Sequence, residues 1–174
     1  HYPTEEEDWE GSMSLPREVR LVDGHLVQSP VKDFDSLKGE EVAAEGKLPV
    51  ICDVAIDVPE GDFDLKLFTK TDGSGGFSLH YDAEKKALTV DKTGMDKRYN
   101  QNVGEVLTVP LGRDLKDIRA IIDSCSVEFF INGGETTFTS HVYPTADEHH
   151  YTVTEEAGVK ITTLKPSVKD DFIV

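Results

Sequence analysis

Carboxylates are the groups in this chain most able to do chemistry: 34 of its 174 residues are Asp or Glu. Acid–base cleavage of an acetal needs two carboxyls facing one bond, about 5 Å apart when one of them also attacks. Asp123 and Glu128 are the best-placed pair, because they flank the serine-rich segment Asp123-Ser124-Cys125-Ser126. Both lie in a strand-like run, however, where an alternating carboxylate is ordinarily only solvated. Nucleophilic catalysis needs Ser or Cys beside a base. No Gly-x-Ser-x-Gly occurs, and neither Cys52 nor Cys125 has a histidine near it in sequence. The two cysteines sit in apolar runs without metal spacing and read as small buried residues, with one disulfide left open. His149-His150 would point to opposite faces of a strand, a poor arrangement for one ion, so a polar loop is expected there. Asp72-Gly73-Ser74-Gly75-Gly76 lacks both the Lys-Ser/Thr of a phosphate loop and the carboxylate ladder of a calcium loop. Lys97, Arg98 and Tyr99 could meet an anion or a sugar, against the plainer reading of an ordinary loop. From the residues alone, no catalytic, cofactor-binding or metal-ligating position is expected.

The elements that would carry these groups read as strands. The clearest stretch runs from Ile118 to Pro144. In it Val127, Phe129 and Ile131 share one face, and Glu128 and Phe130 the other, the period of two of a half-buried strand. Asn132-Gly133-Gly134 supplies residues that accept positive φ, and Thr136 to Val142 returns as the second arm of a hairpin. Val50 to Val58, Phe63 to Thr69, Phe77 to Asp82, Leu88 to Val90, Val106 to Leu111 and Val159 to Thr163 repeat the pattern between turn signals. Near the start, Met13 to Leu15 and Val19 to Val22 read as strand broken at Pro16, and Asp23-Gly24 turns the chain into His25 to Gln28. Val31, Phe34 and Leu37 recur at helical spacing with Gly39 as a stop, so a short connecting helix is expected over 31–41. Short strands with almost no helical period argue for an antiparallel β-sandwich, with a closed barrel as the alternative.

Composition narrows the partners. The net charge of −16 opposes nucleic acid and anionic membranes. No apolar run is long enough to span a bilayer as a helix, and no signal-peptide pattern opens the chain. There is no Asn-x-Ser/Thr sequon. The first residue is His1, so the chain is expected to be an excised piece, with room for a signal upstream.

Two segments resemble glycoside hydrolase family 32, the β-fructofuranosidases, invertases and sucrose-6-phosphate hydrolases. Trp9 to Val31 is similar to the family's stretch at the end of its catalytic propeller, with the Ser/Thr-Leu-Pro-Arg-Glu core at Ser14 to Glu18. Ile122 to Pro144 resembles the family's late Asp-x-Ser-Ser-Val-Glu-x-Phe-x-Asn-x-Gly-Glu hairpin, with Cys125 in place of one serine and Gly133 where Asp is frequent. The resemblance implies a layout: last propeller strands and junction over 1–30, linker helix over 31–41, and a C-terminal lectin-like or jelly-roll-type sandwich over 42–174. Arg17 and Glu18, beside Pro16 in the irregular first strand, read either as a surface ion pair of little worth or as an ion pair at a domain junction. The family's nucleophile, stabiliser and general-acid motifs are absent; Arg113-Asp114-Leu115 lacks the proline of Arg-Asp-Pro, and neither cysteine follows a glutamate. The implied role is a non-catalytic module, inactive alone and without cofactor or metal, whose partner is the propeller of the same polypeptide and, as a further option, a second copy. Sugar binding is the competing role, weakened because Trp9 is the one tryptophan and Phe129 and Phe130 read as core. The resemblance is nearest to cytoplasmic bacterial sucrose-6-phosphate hydrolases; a levanase or invertase parent with an upstream signal would be secreted. Freed from a propeller, residues 9–30 are expected to be disordered, to pair with another copy, or to lie on the sandwich.

Overall fold

A computed structural model describes residues 12–98 and 104–167. Trp9, Tyr99 and the apolar terminus Phe172-Ile173-Val174 lie outside the described residues. Thirteen described strands form three antiparallel sheets. A two-stranded sheet pairs β1 (Arg17–Val22) with β2 (His25–Pro30). A six-stranded sheet has the order β11-β10-β9-β4-β13-β3, where β3 is Lys38–Val42, β4 Cys52–Asp57, β9 Asp117–Asp123, β10 Ser126–Ile131, β11 Thr136–His141 and β13 Gly158–Leu164. A five-stranded sheet has the order β12-β5-β6-β7-β8, where β5 is Phe63–Thr69, β6 Gly76–Asp82, β7 Ala87–Gly94, β8 Val106–Pro110 and β12 His150–Val153. The two large sheets form a sandwich rather than a closed barrel. Among the described residues no helix is long and apolar enough to cross a membrane.

Alternation explains the packing. Phe63, Leu65 and Leu67 of β5 and Phe77, Leu79 and Tyr81 of β6 face Val54 and Ile56 of β4, Ile118 and Ile122 of β9, and Val127, Phe129 and Ile131 of β10 in one core cluster. Phe77 of one sheet stacks on Phe129 of the other at 5.6 Å, and Phe129 stacks on its cross-strand partner Phe138 at 4.5 Å. Fully burying each large side chain contributes roughly 1.5–3 kcal/mol. Phe68 breaks the alternation: it is an extra residue at φ 58° between Leu67 and Thr69, which pair with Tyr151 and His150 of β12, and its ring is also buried. This bulge lets β5 put one more ring into the core, at a backbone cost of about 1–3 kcal/mol.

The helix expected over 31–41 is corrected by the structure. Lys32–Leu37 is a 3-10 helix, and Lys38–Val42 is a strand that pairs with β13. The helical spacing of Val31, Phe34 and Leu37 lasts little more than one turn, too short to propagate an α-helix. Gly39 is a close-approach glycine rather than a helix stop: a Cβ there would lie 2.5 Å from Thr163 Oγ1. Two other expected strands shift. Met13 to Leu15 is not strand, and Val50 is exposed outside β4. β12, expected as polar loop, is strand from His150 onward.

Candidate functional site at the outer face of the six-stranded sheet

The face of the six-stranded sheet turned away from the core is not left to solvent. Residues 15–37 cross it, held by two arginine–carboxylate pairs around a small apolar cluster. In the first pair, Glu128 projects from β10 on the face opposite Phe129 and is only 3% exposed. The Leu15 N–H donates to Glu128 Oε1, and Arg17 donates to Oε2 from Nε at 3.1 Å and from its terminal nitrogen. The same guanidinium reaches Gln28 Oε1 and Thr137 Oγ1, each at 3.2 Å, and Thr139 Oγ1 at 2.7 Å. It lies 5.1 Å from the centre of the Phe130 ring. Arg17 thus joins β1, β2, β10 and β11.

The second pair repeats the design on the two neighbouring strands. Arg119 of β9 donates to both oxygens of Asp53 on β4, at 2.9 and 2.7 Å, and sits over Phe34 of the 3-10 helix at 5.6 Å. Lys38 adds a contact to Asp53 at 3.9 Å. Between the pairs, Phe34, Ile121 and Phe130 form a buried cluster, with Leu15, Val31, Leu37 and Leu164 against it. A forked guanidinium on a carboxylate, stacked on a ring, is the strong form of such a contact.

The turn Asn132-Gly133-Gly134 anchors the other end. Asn132 Oδ1 accepts the Lys116 N–H at 2.8 Å and Asn132 Nδ2 donates to the Asp114 carbonyl at 2.9 Å. Gly134 has φ +96°, and a Cβ there would fall 1.8 Å from the Gln28 carbonyl oxygen, so β2 passes directly over the turn. Gly133 meets nothing within 4 Å. The hairpin reading of this segment holds, with the register Phe129 to Phe138.

The groups weighed for chemistry are engaged in structure. Glu128, expected at a solvated position, is buried and paired; the covering connector was invisible to a strand-by-strand reading. Its partner Asp123 is exposed and accepts the Ser124 N–H at 2.7 Å. Arg17 makes its ion pair across to Glu128, not within the Arg17-Glu18 step. Both cysteines are free. Burial pushes the Cys52 thiol up to about 12, and burial with the Asp123 charge raises that of Cys125, the reverse of what a thiolate nucleophile needs. His149 accepts the Leu48 N–H through its carbonyl, and His150 opens β12. Among the described residues no group of three His, Cys, Asp or Glu side chains could hold a metal. Asp72 Oδ1 accepts the Ser74 N–H at 2.9 Å and closes the β5–β6 turn; hydrogen bonds from Ser74 hold its carboxyl below the usual range. Arg98 pairs with Glu105 at 2.8 Å, Arg113 with Glu135 at 2.7 Å, and Asp114 with Lys86 at 3.3 Å.

One buried carboxylate escaped the sequence reading. Glu148 is fully buried and accepts the Thr145 N–H at 2.8 Å, the Thr145 hydroxyl at 3.0 Å and the Asp96 N–H at 3.0 Å. Its signal was Thr145-x-x-Glu148, the spacing of a reciprocal capping box, here closing a loop. Beside the junction, an open recess of ≈ 590 Å³ is lined by Ser12, Ser14, Arg17, Gln28, Thr139 and His141, among others.

Comparison with known proteins gives this arrangement its context. The family model for the glycosyl hydrolases family 32 C-terminal domain matches residues 25–169. The chain is 31% identical over 144 residues to a sucrose-6-phosphate hydrolase of Vibrio alginolyticus, covering 81% of this chain and 29% of that protein. Against the sucrose-6-phosphate hydrolase of Streptococcus mutans serotype c the identity is 25% over 169 residues, covering 95% and 33%. The chain therefore spans about a third of the length of these curated relatives. Among solved structures, the sucrose-6-phosphate hydrolase of Lactobacillus gasseri is similar with a TM-score of 0.83 and 20% identity, covering 95% of this chain and 36% of that one. An exo-inulinase of Aspergillus awamori gives 0.72 and 21%, covering 90% and 36%. At these identities the structural likeness speaks for the fold.

Proposed function

Since this chain belongs to glycosyl hydrolase family 32, whose C-terminal domain it carries, we propose that it is the non-catalytic support of a catalytic propeller in the same polypeptide. The observation that carries this reading is the Arg17–Glu128 pair, which fixes the β1–β2 hairpin to the sandwich. Beyond Arg17 the same face of the hairpin presents Val19, Leu21 and Leu26, which are 60%, 72% and 65% exposed. An apolar stripe of this kind on a two-stranded sheet asks for a covering partner. In this reading residues 1–30 complete the propeller, residues 31–41 connect, and residues 42–174 form the supporting sandwich.

The whole protein, in this reading, hydrolyses terminal β-fructofuranosides such as sucrose or sucrose 6-phosphate in the cytoplasm, with retention at the reacting carbon. The described carboxylates of this chain that are buried, Asp53, Glu128 and Glu148, have their oxygens bound by structural donors, so the chemistry belongs to the propeller. Two measurements test this. The isolated chain is expected to release no fructose from sucrose or sucrose 6-phosphate; turnover that persists through rigorous purification overturns the reading. In the whole protein, Leu21→Lys is expected to speed thermal inactivation while leaving the initial KM unchanged; an unaltered half-life overturns the docking role.

The open recess beside Arg17 favours one second reading, a sugar-binding module for fructans. Phe129 and Phe130 are buried and offer no stacking platform, which weighs against it. Titration of the chain with sucrose, fructose and levan oligosaccharides separates the two: saturable binding supports the module, and flat titrations remove it.

A further inference from the structure

We propose that Asn132-Gly133 is a site of spontaneous deamidation, that the fold sets its rate, and that its product unseats the β1–β2 hairpin. This inference does not rest on the chain being a propeller support. The chain has three asparagines, and Asn132 alone precedes a glycine. In the reaction the Gly133 amide nitrogen gives up its proton and bonds to Asn132 Cγ, closing a five-membered ring. The Cγ–Nδ2 bond breaks, and the nitrogen leaves with that proton as ammonia. Water then opens the ring on one side or the other, leaving aspartate or isoaspartate at position 132. The net change is one water taken up and one ammonia released. A glycine has no Cβ to obstruct the attack. Asn100 and Asn102 precede Gln101 and Val103, whose side chains do obstruct it.

The fold holds every reacting atom. Asn132 Oδ1 accepts the Lys116 N–H at 2.8 Å, and Asn132 Nδ2 donates to the Asp114 carbonyl at 2.9 Å. The Gly133 N–H donates to Asp117 Oδ1 at 2.8 Å. All three partners lie on residues 114–117, at the start of β9. Ring closure draws Cγ back over its own main chain and takes the proton from the Gly133 nitrogen, so these bonds must break first. The folded chain therefore reacts only while the turn is open, at a rate set by the open fraction. Gly133 itself is exposed, so water reaches the ring.

The product cannot resume the old place. A carboxylate has no N–H to donate, so the Asp114 carbonyl loses its donor and faces an anionic oxygen. The new charge also falls beside the Asp117 carboxylate, in a chain already at −16. Isoaspartate adds a methylene to the main chain as well, inside a turn that closes the register Ile131 to Thr136. Gly134, two residues on, is the seat of β2, where a Cβ would fall 1.8 Å from the Gln28 carbonyl oxygen. A displaced turn takes that seat away, and the loss of ammonia makes the change irreversible.

The test is peptide mapping by mass spectrometry of the 174-residue chain during incubation at mildly alkaline pH, folded and in denaturing urea. In urea the amide-to-acid mass increase is expected at Asn132 well before Asn100 or Asn102. Folding is expected to slow it at least tenfold. Gly133→Asp, for which the site has open space and which tolerates the left-handed φ of 65°, is expected to slow the reaction in urea at least tenfold. Hydrogen exchange is expected to speed up in β1 and β2, with β4, β5 and β9 unchanged, both in the aged chain and in Asn132→Asp. Conversion in urea no faster at Asn132 than at the other two asparagines overturns the site. Equal rates in folded and unfolded chain overturn control by the fold. Unaltered exchange of β1 and β2 in the aged chain and in Asn132→Asp overturns the release of the hairpin.

Discussion

The two faces of β10 are built on different principles. Val127, Phe129 and Ile131 enter a core that is apolar throughout, where shape and volume decide. Glu128 and Phe130, one residue out of step, meet Arg17, a backbone N–H and a small apolar cluster. The inner face would hold any well-matched sheet. The outer face holds one particular connector, because the fork of an arginine and the burial of a carboxylate have to coincide. Buried ion pairs add little net stability over apolar substitutes, and their value here is the register of hairpin on sheet.

That contrast can be broken most severely from the inside. Phe129→Ala is expected to cost about 3–5 kcal/mol by opening a cavity between Phe77 and Phe138, read by urea denaturation of the chain. Glu128→Gln on the outside is expected to cost roughly 2–4 kcal/mol, somewhat below a fully buried pair because Arg17 keeps some solvent access. A double change, Arg17→Met with Glu128→Leu, is expected to recover most of that loss; strictly additive losses in the cycle would show that the two residues are not coupled. Gly134→Ala is expected to cost about 1–3 kcal/mol through the Gln28 carbonyl. Its signature is local: amides of β1 and β2 exchange faster while those of β4, β5 and β9 keep their protection. The smallest effect concerns a surface pair. The hydrogen bond from Lys85 holds the Asp82 carboxyl below its ordinary value. A carboxylate so lowered contributes stability that is fully present above its unfolded pKa, about 3.9, and is lost as pH falls through the folded value. Asp82→Asn should therefore flatten only the acid limb of the stability profile, below about pH 4. A change confined to neutral pH would contradict the assignment.

The same contrast shows what could be read from residue order. Alternation marked the inner face of β4, β5, β6 and β10, because a half-buried strand writes its period directly into the sequence. The Asn132-Gly133-Gly134 turn was legible for a similar reason, since positive φ restricts the residue types. The outer face was not legible. Whether Asp53 and Glu128 meet water depends on a connector that is distant in sequence, and neither residue type reveals it. β3 was missed because Lys38-Gly39-Glu40-Glu41-Val42 has one apolar residue and no period to detect. Its strand character comes from pairing with β13, a long-range partner. Glu148 had a local signature, but one more familiar at helix starts. In the N-terminal segment Leu15 and Arg17 bond to the sandwich, while Val19, Leu21 and Leu26 of the hairpin stay exposed.

The contact between Gly134 and the Gln28 carbonyl also dictates an order of assembly. β2 leaves the ribosome well before the turn it must lie across, and pairing so distant along the chain closes slowly. Until that turn has formed, β2 has no seat, and its free borders are open to any neighbouring polypeptide. The seam between hairpin and sandwich is thus completed only after the turn has been made. A chain that stops short of Gly134 would release its earlier portion with that seam still unsealed.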